Sequence, residues 1–180
     1  MKNISFYQNF QLIVCKTRKN KGKIYFFDSN RLVFSTKCFI GKNGACFNRR
    51  EGTLTTPKGL FPITLAFYQK EKPKCNLPLL KIKEGIYWID DSKSKYYNYP
   101  VKHSHFADYR SFEDMQKIKE YRYGFVIDYN RFPTIKNKGS AIFFHIGESF
   151  TSGCIATKKE DLLHILSLLD KNKSPYILII

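Results

Sequence analysis

The 180-residue chain is short of acidic residues, with 15 Asp and Glu against 31 Lys and Arg, for a formal net charge of +16. It also has no long hydrophobic run. The longest apolar stretches, such as Ala141-Ile142-Phe143-Phe144 and Ile177-Leu178-Ile179-Ile180, are far too short to cross a bilayer. No membrane span is therefore expected. The first ten residues lack the apolar core of a signal peptide, because Asn3, Ser5, Gln8 and Asn9 interrupt it. None of the five cysteines forms a C-x-x-C pair, which argues against a zinc ribbon or a thioredoxin-type site. An odd number leaves at least one thiol over in any redox state. The glycines and prolines show no period, and no repeat, linker or low-complexity tract occurs, which excludes collagen-like and coiled-coil architectures.

What is present is apolar enough for a real core. Hydrophobic residues make up 43% and aromatics 16%, so a disordered basic tail is excluded and a single domain over residues 1–180 is expected. Three β-rich runs, Gln11 to Cys15, Lys23 to Phe27 and Arg31 to Ile40, are separated by turn residues and predict an antiparallel meander. Gly41 to Gly52 reads as a loop. Leu60 to Phe67 reads as a strand, with Pro62 placing it at an edge or a bulge. Further strands are expected at Gly85–Asp91, Gly124–Asn130, Ser140–Ile146 and Tyr176–Ile180.

Two short helices are predicted. Ser111-Phe112-Glu113-Asp114 fits a capping box and starts a helix of roughly ten residues to Tyr121. Thr157 and Glu160 form a second box. Leu162, Leu163, Ile165, Leu166 and Leu169 follow at helical spacing, and Ser174-Pro175 ends the segment. The fold class is thus mainly β with two short helices (α+β).

Chemistry concentrates in His145-Ile146-Gly147-Glu148-Ser149-Phe150-Thr151-Ser152-Gly153-Cys154. A His ends a buried strand, a small-residue loop follows, and a Cys comes three residues before the expected N-cap at Thr157. A thiol becomes a nucleophile when an imidazole or a positive backbone dipole stabilises its thiolate. Gly153 permits a tight turn, so that the amides of Gly153 and Cys154 are expected to face an oxyanion. On spacing alone, a small core cysteine and a satisfied strand-end histidine are the favoured reading, because Cys/His pairs carry no general signature. His103 and His105 have no further ligand spaced to complete a metal site. No metal or cofactor is expected.

This block resembles the catalytic motif of the YkuD-type L,D-transpeptidase family, in which a strand-end His precedes a Ser/Thr-x-Gly-Cys segment, here His145 and Thr151-Ser152-Gly153-Cys154. The segments Thr56-Pro57-Lys58-Gly59-Leu60-Phe61-Pro62-Ile63, Ile89 to Asn98, Tyr123 to Ile127 and Gly139 to Ile146 resemble further blocks of the family in the same order. The resemblance covers residues 10 to 180. Two departures stand out. Ser152 occupies the place of the usual second His, and the interval from His to Cys is shorter.

The resemblance implies a YkuD-like β-sandwich and acyl transfer on peptidoglycan stem tetrapeptides. Cys154 would form a thioester, His145 would act as base and then acid, and Gly153 would contribute to the oxyanion site. The product would be a 3–3 cross-link with loss of the terminal D-amino acid. The alternatives on the same fold are an L,D-carboxypeptidase, an endopeptidase or a wall-targeting effector. A basic nucleic-acid-binding module is the remote one, and nucleic acid is not expected as a partner. Thr151, Ser152, Tyr96, Tyr97 and Tyr123 are expected on the substrate side, with Tyr99, Tyr121, Lys93 and Lys95 nearby. The partners implied are stem peptides and, through the basic charge, anionic wall polymers. The family implies a place in the cell envelope or periplasm. The missing leader keeps a cytoplasmic or otherwise delivered pool open.

Overall fold

The computed structural model describes residues 10–102 and 108–180. The elements are β1 (Gln11–Arg18), β2 (Lys21–Asp28), β3 (Arg31–Phe39), β4 (Ala45–Cys46), β5 (Thr56–Pro57), β6 (Gly59–Tyr68), β7 (Leu79–Lys81), β8 (Ile86–Ile89), β9 (Pro100–Lys102), β10 (Phe112–Asp114), β11 (Tyr123–Ile127), β12 (Phe143–Ile146), β13 (Ile155–Thr157), α1 (Lys159–Leu168) and β14 (Tyr176–Ile179). The expected meander is β1–β2–β3. Its turns use Lys19, Ser29 and Asn30, all at positive φ. Alternation sends Ile13, Cys15, Ile24, Phe26 and Cys38 inward.

Strand order is β11-β12-β13-β3-β2-β1-β14-β6-β7, and β6 also pairs with β11. The expected sandwich is therefore a closed ring. The ten-residue β6 causes the closure: it pairs with β14 over Gly59–Pro62 and with β11 over Ile63–Tyr68. Apart from the short β7, which hangs on β6 outside the ring, no open edge is left along which the sheet could separate into two layers. Pro62 sits beside the irregularity in the β6–β11 pairing, as its missing N–H requires.

One core cluster joins Ile13, Phe26, Phe125, Phe144 and Ile155 of the ring to Leu162, Ile165, Leu166 and Leu169. A second lies where the small sheet β10-β8-β9 covers β11 and β12, with Trp88, Met115, Phe67, Tyr121, Phe143 and Cys154. Trp88 packs edge-on against Phe143 at 4.8 Å, and its indole N–H donates to Asn98 Oδ1 at 3.0 Å. The same oxygen accepts from Ala141 N, and Asn98 Nδ2 donates to the carbonyls of Tyr129 and Asn130. Asn98 thereby ties the small sheet to the chain entering β12.

Only one α-helix occurs among the described residues, which corrects the expectation of two. Phe112–Asp114 is a strand paired with β8. The Asp114 carboxylate accepts from Gln116 N and Lys117 N, closing a turn, and only a short 3-10 turn, Lys119–Arg122, follows. Packing of Phe112 against Tyr87 and Tyr109 outweighs the local capping pattern. Thr157 does not cap α1 either. It belongs to β13, donates to Lys37 O, and leaves Lys158 as an N-cap without a side-chain bond. No helix among the described residues is long and apolar enough to cross a membrane.

Candidate active site

β12 and β13 run parallel, with Phe144 opposite Ile155 and His145 opposite Ala156. Continued by one residue, this register sets Cys154 beside Phe143, two residues from His145 on the same face of β12. The Phe143 amide donates to Cys154 Sγ at 3.3 Å, and the thiol donates to Ala141 O at 3.2 Å. Cys154 and His145 are each 7% exposed. Both line a cleft of about 520 Å³, together with Thr151, Ser152 and Gly153.

The loop before Cys154 is held by hydroxyls. Thr151 Oγ1 donates to Cys154 O at 2.6 Å and accepts from Gly153 N at 3.1 Å. The Gly153 amide is therefore engaged and does not face an oxyanion, contrary to the sequence expectation. Glycine is required there for other reasons. Its φ is +148°, and an added Cβ would lie 2.9 Å from both Arg49 Nη2 and Thr55 O.

His145 Nδ1 lies 2.8 Å from Ile146 O. A carbonyl only accepts, so Nδ1 carries the proton and Nε2 keeps the lone pair. Burial holds the imidazole pKa below its ordinary 6.5, with the Ile146 carbonyl and Glu120 opposing. The ring is neutral at pH 7 and able to accept a proton.

Cys154 lies ahead of a strand, not a helix N-terminus, so no helix dipole acts on its sulfur. Burial and the Glu113 charge push the thiol up to about 12, against the Phe143 amide, Arg49 and the Tyr121 hydroxyl. At neutral pH Cys154 is therefore a neutral thiol, and any attack by its sulfur requires the loss of that proton.

Two side chains that sequence reasoning did not assign, Glu113 and Arg49, complete the environment together with Tyr121, which it placed nearby. Glu113, on β10, accepts a hydrogen bond from Tyr121 OH, and burial lifts its carboxyl to about 7. The Tyr121 ring meets His145 edge-on at 5.3 Å. Arg49 is 5% exposed and donates from Nε to Thr55 O at 2.8 Å, while Nη1 is buried without a partner.

Of the tyrosines expected near the substrate, only Tyr121 lines the cleft. Tyr97 is buried behind it, donating to Glu51 at 2.5 Å and accepting from Gly139 N. Tyr123 packs in the main core. Tyr96 packs against the cluster of Tyr87, Ile89 and Tyr109. His103 and His105 lie outside the described residues. The cleft lining carries five carboxylates, Glu51, Asp90, Glu113, Glu120 and Glu148, and a single cationic side chain, Arg49. A basic face at the cleft, as the net charge suggests, is not what forms.

A buried thiol beside a tautomer-fixed histidine, on adjacent parallel strands of a closed sheet, defines a candidate cysteine-nucleophile site. The profile of YkuD, the L,D-transpeptidase catalytic domain, matches residues 12–177. The chain belongs to this family, whose members act on peptidoglycan. Among solved structures, the helical cell shape determining protein Pgp2 from Campylobacter jejuni, crystallised as a mutant, is similar at 14% identity and a TM-score of 0.51. That match covers 96% of this chain and 47% of the other. An Enterococcus faecium L,D-transpeptidase mutant is similar at 11% identity and a TM-score of 0.44, with 96% and 50% covered. The chain thus spans about half the length of these proteins. No curated protein matches it.

Proposed function

We propose that this chain is a cysteine-dependent L,D-transpeptidase acting on peptidoglycan stem tetrapeptides. The observation that carries the reading is the His145 Nδ1 contact with Ile146 O, which leaves Nε2 as the base in the cleft that holds Cys154.

Cys154 Sγ attacks the carbonyl of the third residue, a diamino acid, as its proton passes to His145 Nε2. The S–C bond forms, the peptide C–N bond breaks, and the imidazolium returns the proton to the departing amine. The terminal D-amino acid leaves and a thioester remains. The neutral amine of a second stem then attacks the thioester; its N–C bond forms as the S–C bond breaks, its proton passes to His145 Nε2 and from there to the departing sulfur, and the products are the 3–3 cross-link and the Cys154 thiol. Generating a buried thiolate unaided is costly, so proton transfer and attack are coupled. With the Gly153 amide engaged, the Cys154 amide is the remaining donor proposed for the oxyanion, a role worth about 3 kcal/mol.

Thr151 is assigned to holding the loop, and Ser152 to the substrate side of the lining. The carboxylate-rich wall supports an amine-bearing acceptor, because an ammonium group is attracted where an anion is repelled.

Mass spectrometry of the protein after incubation with a tetrapeptide donor is the test. The expected result is an acyl adduct on Cys154, with Cys154→Ala lowering turnover about a thousandfold or more. Full activity in Cys154→Ala overturns the mechanism. A product of tripeptide and free D-amino acid, with no dimer, assigns hydrolysis instead.

A further inference from the structure

The outer face of β1–β3 carries a regular array of cations. Register places Lys16 opposite Lys23 and Lys23 opposite Lys37, three lysines in one row across three strands. The next row on the same face is Arg18, Lys21 and Phe39. Lys19 stands in the turn between β1 and β2. All six cations are exposed, and they line one shallow trough whose other residues are Asn20 and Gly22. The ion pairs among the described residues are Lys95–Asp108, Lys117–Asp114, Arg131–Asp128 and Lys173–Asp28, and none draws on this array.

Like charges directly opposite one another weaken a sheet. Here three such pairs lie side by side, Lys16/Lys23, Lys23/Lys37 and Arg18/Lys21. Neighbouring charges repeat at about 5 Å across the strands and about 7 Å along them. A single small anion neutralises one point of such a lattice, whereas a chain of repeated anions neutralises all of it.

The array also leads to the cleft. From Phe39 the chain runs through Ile40, whose carbonyl accepts from Thr151 N at 3.0 Å, to Gly41, which bridges Thr151. A second trough shares Lys21 and Lys37 with the array and Glu148 with the cleft; Lys158 and Asp161 also line it.

We propose that this face is a docking site for a polyanionic wall polymer with repeated phosphodiester groups, which holds the protein on the wall beside the stem peptides. The identity of the polymer rests on the proposed function; the anion-binding array does not. A single-stranded nucleic acid fits the face less well. It needs open aromatic platforms, and the two rings here are already engaged, Tyr25 by Lys16 and Lys23 and Phe39 by Lys21.

The test is binding of the whole chain to purified polyglycerol phosphate, measured over a salt series. The wild type should bind with an affinity that falls steeply with salt. Lys16→Gln/Lys23→Gln/Lys37→Gln should bind about tenfold more weakly at low salt and show a flatter salt dependence. The corresponding Lys→Arg triple should bind like the wild type, and because it keeps every charge it separates loss of charge from loss of fold. Cys154→Ala should also bind like the wild type.

Equal binding by the Gln triple overturns the proposal, as does tighter binding of an oligonucleotide of equal charge. Retained polymer binding with no acylation of Cys154 removes the proposed chemistry and leaves the array standing. Acylation without polymer binding does the reverse.

Discussion

The outer face of β1–β3 and the Cys154 cleft belong to one closed sheet, yet they carry opposite charge. Six exposed cations crowd the first; five carboxylates and a single arginine line the second. Net charge sums the whole surface, whereas the chemistry of a site responds to the groups within a few ångströms and to how dry it is. The face is wet, so its charges act weakly one by one, additively, and with sensitivity to salt. Around Cys154 and His145 the cleft is nearly dry, so single groups there move single pKa values.

The largest effect that tests this contrast is at His145. His145→Ala should lower kcat/KM by about 10²–10⁴. The wild-type pH profile tests the same point without a mutation. Because burial holds the imidazole below 6.5, the base is available at neutral pH, and activity should fall as the pH drops through that lowered value. A rate that rises on acidification breaks the assignment.

Next comes Glu113→Gln. Removing that charge should lower the Cys154 pKa from about 12 and speed its alkylation by iodoacetamide at pH 8 by roughly tenfold, since one pKa unit is a factor of ten in thiolate. Stability should change with a defined sign. The Glu113 carboxyl is raised from 4.5 to about 7, so the folded state holds its proton more tightly than the unfolded state. The stabilisation is full below pH 4.5 and is lost as the pH rises to about 7. Relative to wild type, Glu113→Gln should therefore be more stable at pH 8 than at pH 4, by on the order of 1–3 kcal/mol in denaturant unfolding. An equal difference at both pH values rejects the cause given for the shift.

A smaller change is expected from Gly153→Ala. The positive φ and the contacts with Arg49 and Thr55 should cost about 1–3 kcal/mol, read as a lower Tm. In each case the matching control is the Lys→Gln triple on the basic face, which should leave Cys154 alkylation within about twofold, because exposed charges beyond a Debye length are screened.

Much of the site was legible because it is local. One short block holds His145, Thr151, Ser152, Gly153 and Cys154, and β12–β13 pairing folds it onto itself. The meander was legible for the same reason, since alternation and turn residues lie next to each other in the chain. Glu113 was misread as the first turn of a helix because Ser111 and Asp114 have capping-box spacing. Its strand exists only through β8. Arg49 sat unremarked in a polar loop, and nothing near it in sequence signals that Gly139 and Gly153 will close over its guanidinium. Tyr97 is expected on the substrate side and is instead a buried partner of Glu51.

The residue pattern by itself determined the β-rich class, the placing of His145 and Cys154 in one short block, and the excess of positive charge, because each is a property of composition or of near neighbours. Only the tertiary structure decided where that charge goes. Strand register stacks lysine on lysine across β1–β3, and docking of the small sheet brings Glu113 and Tyr121 to Cys154. Both depend on contacts between segments far apart in the chain. For the same reason, the thiol that looked poised at a helix start is held neutral at the head of a strand.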